Sequence, residues 1–119
     1  MFKRKKNLAI VNSLVGQQTI IGGNVDFVGG LRVDGTIQGS VRGGADSVLT
    51  VTKTGRICGS IEANHAIIDG TVDGPLVVCE MLELMPSAVV TGDITYQTLR
   101  VHPGALITGT LSLSKKVES

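Results

Sequence analysis

The sequence predicts an all-β fold, a β-helix (solenoid) of about six triangular turns, and three observations support this. The chain of 119 residues is 42% hydrophobic but has only two Phe, one Tyr and no Trp, so its core must be built from Val, Ile and Leu. These residues favour strands. A short phrase containing one glycine recurs along the whole chain, and the spacing between phrases keeps apolar residues on the same side of the strands.

The repeated phrase is an aliphatic residue, any residue, glycine, any residue and an aliphatic residue. Its copies are IGGNV (21–25), IQGSV (37–41), ICGSI (57–61), VDGPL (72–76), VTGDI (90–94) and ITGTL (107–111). The central glycines follow one another at intervals of 16, 20, 15, 18 and 17 residues. A glycine fixed at one place in every turn indicates a corner where a side chain would crowd the core or the backbone bends sharply.

A second apolar strand precedes each of the last five phrases. These strands are LRV (31–33), LTV (49–51), AII (66–68), LEL (82–84) and LRV (99–101). The step from Val33 to Ile37 is four residues and the step from Val51 to Ile57 is six. Both steps are even, so alternation of side chains keeps the apolar side inward in either case. An antiparallel meander would not repeat in this way, whereas rungs stacked in parallel do.

The handedness of the predicted β-helix follows from the spacing of the phrases. Left-handed β-helices keep a strict hexapeptide period, and intervals of 15, 16, 17 and 20 residues break it. We therefore expect a right-handed β-helix. The predicted domain spans 14–113, between a flexible basic N-terminal tail at 1–13 and a flexible C-terminal tail at 114–119.

Charge is distributed unevenly along the chain, although the formal net charge is only +1. Four basic residues lie within the first six positions, while 7–114 contains five basic and nine acidic residues. This acidic body makes nucleic-acid binding unexpected. The stretch KRKKNLAIVNSLVG resembles a secretory signal, but Asn12 and Ser13 interrupt its apolar part and no small-residue cleavage site follows.

The sequence contains no pattern that indicates catalysis or a cofactor. Cys58 and Cys79 form no CxxC pair and no metal-ligand spacing with the two histidines, His65 and His102, so neither a metal site nor an enzyme is expected. Two isolated cysteines favour reduced thiols in a cytosolic protein. None of the glycine phrases opens a helix that would cradle the phosphates of a nucleotide.

Three segments, taken in order, resemble the bactofilins, a family of bacterial polymer-forming cytoskeletal proteins. They are VGGLRVDGTIQGSV (28–41), LELMPSAVVTGDI (82–94) and LRVHPGALITGTL (99–111), and the resemblance extends over about 13–113. It implies a right-handed β-helix with short flexible tails, which assembles head-to-head and tail-to-tail into non-polar filaments without nucleotide. It also implies binding to the inner face of the membrane through a short N-terminal peptide, and positioning of cell-wall or cell-shape factors.

The two terminal rungs are the candidate polymer interface. A solenoid ends in an unpaired rung that templates another strand, unless a polar cap covers it. The sequence provides neither a capping helix nor a cluster of charges within either terminal rung. The candidate residues are Val15, Ile21, Val25 and Phe27 in the first rung, and Leu106, Leu111 and Leu113 in the last rung. The alternative is that these are the frayed ends of a monomer.

The first six residues are the candidate membrane contact. They are Met1, Phe2, Lys3, Arg4, Lys5 and Lys6. Phe2 and Met1 would insert at the lipid interface, and each cation would contribute about 1 kcal/mol near anionic lipid. One such peptide binds weakly, but many on one filament would bind by avidity. An inert solvated tail or a segment that attracts nucleic acid are the alternatives.

Two other function classes stay open at this point. A small β-helical acyltransferase-like enzyme would form a discrete trimer, with activity that depends on His65 or His102. A non-polymerising β-helix binding module would stay a monomer or dimer at high concentration.

Overall fold

Sixteen strands wind into six stacked rungs, each with three short sides, in the computed structural model, which describes residues 13–114. Every strand pairing is parallel, and each strand pairs with its equivalent in the next rung. The described residues therefore form a parallel β-solenoid of six rungs, and the fold class predicted from the sequence is confirmed.

Each of the three faces of the solenoid takes one strand from every rung. The first face contains β1 (Ser13–Val15), β4 (Gly30–Val33), β7 (Val48–Val51), the second half of β9 (Ile61–Ile68), the second half of β11 (Leu76–Leu84) and β14 (Thr98–Val101). The second face contains β2 (Ile20–Gly22), β5 (Thr36–Gln38), β8 (Arg56–Cys58), β10 (Thr71–Asp73), β12 (Val89–Thr91) and β15 (Leu106–Thr108). The third face contains β3 (Val25–Phe27), β6 (Val41–Gly43), the first halves of β9 and β11, β13 (Ile94–Tyr96) and β16 (Leu111–Leu113).

Equivalent residues of successive rungs form columns, and every second column points into the core. Val33 pairs with Val15 and Val51, for example, and Val51 pairs with Ile68. In the inner rungs these side chains are fully buried. Burial of one such aliphatic side chain contributes roughly 1.5–3 kcal/mol, and it requires the neighbouring rungs on both sides.

The corner between the second and third faces is a column of glycines. Gly23, Gly39, Gly59, Gly74, Gly92 and Gly109 all have positive φ, between 130° and 156°. A Cβ atom on Gly92 would lie 2.6 Å from the carbonyl oxygen of Gly74 in the rung before it. The sharp bend expected from the sequence therefore holds at this corner, while the crowding involves the backbone of the preceding rung and not the side chains of the core.

The corner between the first and second faces exists in a tight and a wide form. The wide form closes with a turn hydrogen bond, as in Gly55 N–H to Thr52 O (2.8 Å) and Ala88 N–H to Met85 O (3.0 Å). In the tight form Gly35 is buried and donates its N–H to Val15 O (3.1 Å). Both forms return the chain to the same inward column, as the even steps predicted.

Two features of the strands differ from the sequence pattern. Strands β9 and β11 continue around the corner between the third and first faces, with a register shift between Val78 and Met81, where the pattern indicated two separate strands. The first face also has a sixth strand, β1, which the pattern of apolar triplets did not include. Its first position holds Ser13, whereas the equivalent position in the next rung holds Leu31.

Candidate functional site: the two end rungs

The head surface is the open side of the first rung, β1 to β3. Of its four predicted residues, Val15 and Phe27 are buried, at 6% and 8% exposure, and Ile21 and Val25 are half-buried. The Phe27 ring occupies the space that Gly43 leaves open in the rung below, since a Cβ on Gly43 would lie 2.7 Å from Phe27 Cζ. Phe27 therefore belongs largely to the core, and Ile21 and Val25 contribute the accessible apolar surface.

The tail surface is the open side of the last rung, β14 to β16. Leu111 and Leu113 lie in the inward columns of Ile94 and Tyr96 and are 44% and 60% exposed. They are exposed because no further rung covers them within the residues that the structure describes. The structure thus places both predicted leucines on an open apolar surface at this end.

The third predicted tail residue, Leu106, lies in a different position. It pairs with Val89 in an outward column of the second face, whereas Ile107 pairs with Val90 and occupies the inward column. Leu99 and Val101 also belong to the inward columns of this rung but are not among the predicted residues, and Val101 is 45% exposed. All three omitted residues, Leu99, Val101 and Ile107, follow from the alternation pattern once each is aligned with the buried residue one rung earlier.

Charge is sparse at both ends of the solenoid. Asp26 is the single charged side chain of the first rung and Arg100 that of the last, while each of the four rungs between them carries two to four. At the tail, β14, β15 and β16 each pair only with the preceding rung. Charged side chains are the usual protection of such an edge against pairing with another chain. The two ends lack that protection within the described residues.

The sides of the solenoid, in contrast, carry polar links between rungs. His65 Nε2 lies 2.9 Å from Glu80 Oε1, and His102 Nε2 lies 2.6 Å from Glu83 Oε2. His102 is half-buried in this pair. Both histidines therefore connect neighbouring rungs on the surface.

The cysteines lie on the outer surface and do not approach each other to form a site. Cys58 is half-buried, with its Sγ 4.0 Å from Asp73 Oδ2, and Cys79 is exposed. Cys58 and Asp73 together raise the pKa of the neighbouring Arg56 guanidinium, with Cys58 the larger cause. Within 13–114 no three His, Cys, Asp or Glu side chains come together as metal ligands.

The candidate membrane contact, Met1 to Lys6, lies outside the described residues. Over 13–114 we find no helix with the length and apolar character needed to span a membrane.

A parallel β-solenoid with two open, apolar and charge-poor ends is typical of a structural protein that assembles with copies of itself. The comparisons with known proteins agree. This chain belongs to the bactofilin family, because the family model described as "Bactofilin: Polymer-forming cytoskeletal" matches residues 13–112. The resemblance found in the sequence is thereby confirmed.

Two relatives illustrate the similarity. The chain is 27% identical to bactofilin BacO of Myxococcus xanthus over 115 residues, which cover 97% of this chain and 89% of the relative. It also matches a cryo-EM reconstruction of Thermus thermophilus bactofilin double helical filaments, with a TM-score of 0.73 and 31% identity. That match covers 86% of this chain and 99% of the Thermus chain.

Proposed function

We propose that this member of a polymer-forming cytoskeletal family is a bacterial scaffold that assembles without nucleotide into non-polar filaments. Assembly proceeds through head-to-head and tail-to-tail contacts of the end rungs. The observation that carries the proposal is the tail surface, where Val101, Leu111 and Leu113 are 45%, 44% and 60% exposed on a rung with a single charge.

Burial of the ends supplies the free energy of assembly. Each Leu or Val side chain contributes up to roughly 1.5–3 kcal/mol when it is fully buried. In a two-fold contact between identical ends, each residue contributes once from each copy, so every contact occurs twice. Because the gain comes from burial and from pairing of the open strand edges, the assembly step needs no hydrolysis of ATP or GTP. The Thermus relative forms double helical filaments, and this supports filament assembly by the present chain.

The direct test is negative-stain electron microscopy of purified, nucleotide-free protein over a range of concentrations. We expect long unbranched filaments from the unmodified chain and none from Leu111→Lys, which places a charge on the tail surface. Val77→Lys is the matched control, because Val77 is 38% exposed on the side of the solenoid and should leave the filaments intact. Discrete particles at all concentrations, or loss of filaments in both variants, would contradict the proposal.

The same scaffold is proposed to lie on the inner face of the cytoplasmic membrane, where it positions cell-shape or cell-wall factors. Its support is the N-terminal peptide from Met1 to Lys6, with Met1 and Phe2 as the inserting residues and four cations for anionic headgroups. Repetition of this peptide along a filament strengthens the binding by avidity.

Co-sedimentation with vesicles measures this binding. We expect pelleting with phosphatidylglycerol vesicles but not with phosphatidylcholine vesicles, and a loss of pelleting in Lys3→Ser/Lys5→Ser. The variant Lys115→Ser/Lys116→Ser removes the same charge from the other terminus and should pellet like the unmodified chain. Equal loss in both double variants would show that net charge alone, and not the N-terminal peptide, attracts the filament to lipid.

A further inference from the structure

We propose that the segment Leu8-Ala9-Ile10 forms an extra strand on the head surface, paired in parallel with the open edge of β3. This cap strand covers Val25 and Phe27, and a second copy must displace it before two heads can join. The cap strand is a property of the single chain. Its effect on assembly rests on the head-to-head contact proposed above.

The edge of β3 that faces away from the second rung is open. Among the described residues β3 pairs only with β6. Val25 is half-buried, whereas its equivalents Val41 and Ile61 are 1% exposed because a rung lies on both sides of each. An unpaired edge of this kind favours the addition of a strand.

The path of the chain leads the residues before β1 to this edge. β1 begins at Ser13 on the first face, and in every later rung the first-face strand follows a third-face strand of the rung before. A chain that keeps this path reaches Ser13 from a position over β3. Residues 8–10, which would occupy that position, lie outside the described residues, so their placement follows from strand spacing.

Strand spacing selects one register for the cap strand. From one third-face strand to the next, paired residues are 16, 20, 15, 18 and 17 positions apart in the chain. Leu8 precedes Val25 by 17 positions, and Ile10 precedes Phe27 by the same number. Both apolar side chains then point inward, onto the two inward residues of β3.

The strand β9 shows the same local pattern where it runs without interruption from the third face to the first. In its segment IEANHA (61–66) the first, third and sixth residues point inward, each 1% exposed. The segment LAIVNS (8–13) has Leu8, Ile10 and Ser13 at these places. Ser13 already lies in the same inward column as the sixth residue of IEANHA. The chain before β1 therefore has the pattern of a strand that continues onto the third face.

The sequence also sets where the cap strand begins. Lys6 lies two residues before Leu8, the place that Gly23 occupies relative to Val25. The corner glycines have φ values from 130° to 156°, which a side chain disfavours. The cap is therefore a single strand, and the cations at 3–6 stay outside the stack. Their charge is opposite to that of Asp26, the single charged side chain of the first rung.

The cap strand makes the two ends of the solenoid unequal. It competes with a second copy for the edge of β3 at the head. At the tail, the segment after Ser114 contains one apolar residue, Val117, and supplies no such strand. Tail-to-tail dimers are therefore expected to form first, and their heads join only when the cap strand is displaced.

An engineered disulfide tests the register of the cap strand. Full-length protein with Cys58→Ser and Cys79→Ser carries Ala9→Cys/Asp26→Cys and is oxidised with copper phenanthroline in dilute solution. Neighbouring strands are about 4.8 Å apart, within the Cα separation that a disulfide spans. The matched control is Ala9→Cys/Arg42→Cys, because Arg42 pairs with Asp26 and lies one strand further away, at about 9.6 Å.

Non-reducing electrophoresis and mass spectrometry measure the disulfide. We expect it within one chain for Ala9→Cys/Asp26→Cys and not for the control. No disulfide, equal amounts in both proteins, or a disulfide found only between chains overturns the inference. Circular dichroism checks that each variant keeps its strands.

Inward charges test the effect on assembly. Leu8→Lys/Ile10→Lys should release the cap strand and lower the critical concentration for filaments, measured by light scattering, by about tenfold or more. Asn7→Lys/Ala9→Lys is the matched control, since it adds the same charge at outward positions and should leave the critical concentration unchanged. An unchanged or higher value in Leu8→Lys/Ile10→Lys, or an equal shift in the control, overturns the competition.

The oxidised protein separates this inference from the proposed function. With the cap strand locked by Ala9→Cys/Asp26→Cys, we expect assembly to stop at tail-to-tail dimers, and dithiothreitol should restore filaments. Filaments from the locked protein overturn the competition. An unmodified chain that forms no filaments at any concentration would refute the proposed function, and the disulfide comparison would still decide whether the cap strand exists.

Discussion

At the residue scale, Asp34 shows how one side chain connects two rungs. Its Oδ1 accepts hydrogen bonds from Thr52 Oγ1 (2.7 Å) and Arg32 Nε (3.0 Å), and its backbone oxygen accepts one from Thr54 Oγ1 (2.8 Å). Thr52 and Thr54 belong to the next rung, so the tight corner of one rung is tied to the wide corner of its neighbour. These bonds favour the ionised carboxylate, and the pKa of Asp34 is lowered from its usual 3.8, with Thr52 the larger cause.

The lowered pKa of Asp34 predicts the direction of a pH effect. A carboxyl group whose pKa is lower in the folded state stabilises the fold above its unfolded pKa of about 3.8, and this contribution disappears as pH falls through the folded value. In protein whose ends are blocked by Ile21→Lys/Leu111→Lys, Thr52→Val should therefore lower the free energy of unfolding at pH 7. The further decrease in this free energy between pH 7 and strongly acidic solution should be smaller than without Thr52→Val. Urea titrations at a series of pH values measure both quantities.

The control for this effect is Thr50→Val. Thr50 lies only two residues before Thr52, at the end of β7, but makes no hydrogen bond to Asp34. A Thr52→Val profile parallel to that of the unmodified protein would show that the Thr52 bond does not set the pKa of Asp34.

Whether a side chain points inward or outward could be predicted from the sequence only where the strict alternation of side chains along a strand was applied. Leu111 and Leu113 were found because they continue the inward columns of the glycine phrase. Leu106 is apolar and ends a connector, but the inward column at that rung belongs to Ile107. The burial of Phe27 was not predictable, because it depends on the empty position at Gly43 in another rung.

At the scale of the elements, the corner glycines decide where each strand ends. Their φ values are in a range that side chains disfavour, and their backbones stack directly on one another. A side chain at one corner would therefore strain its own rung and push on the next. The repeat itself was readable from the sequence because this constraint recurs in every rung.

Gly92→Ala tests the glycine column. The added Cβ would lie 2.6 Å from Gly74 O and would adopt a φ of 130°, so we expect a loss of at least about 2 kcal/mol in the free energy of unfolding. Gly22→Ala is the matched control, since no atom lies within 4 Å of its added Cβ and it should change stability by less than about 0.5 kcal/mol. Similar losses in both variants would show that general strand propensity, and not the stacked corner, explains the glycines.

The continuous strands β9 and β11 could not be predicted from the pattern. Their bend is fixed by pairing with neighbouring rungs, and the register shift between Val78 and Met81 arises from that pairing. Buried Ser47 supports the bend, because its Oγ accepts the backbone N–H of Asn64 (3.1 Å) midway along β9. A serine at this place in the sequence carries no signal of that role, since the contact spans two rungs.

At the scale of the whole molecule, the solenoid has polar sides linked by ion pairs and ends with one charge each. The family and the fold class could be predicted from sequence, because one rule repeats along the chain, and the location of the polymer interface at the ends stays a prediction. The surface of the first face could not, since Gly30, Met81 and Glu83 come to lie on one face, three rungs apart, only after the strands are stacked in register.

The distribution of charge predicts how filament assembly responds to salt. Because the ends bury apolar surface with little charge, the critical concentration should stay nearly constant between about 50 mM and 500 mM NaCl, a range over which exposed charges become screened. Ammonium sulfate should lower it, since sulfate strengthens apolar burial. Light scattering measures both, and a critical concentration that rises steeply with NaCl would indicate that ion pairs drive assembly instead.

The two forms of the corner between the first and second faces have a consequence for protein engineering. Because the chain returns to the same inward column after either a four-residue or a six-residue step, we expect a tight corner to accept two added residues without a shift of the strands. The wide turn Thr52–Gly55 already projects from the rod in this way. In a filament with head-to-head and tail-to-tail contacts, a peptide tag grafted there would be displayed once per subunit, and a shorter and a longer distance between neighbouring tags would alternate along the fibre.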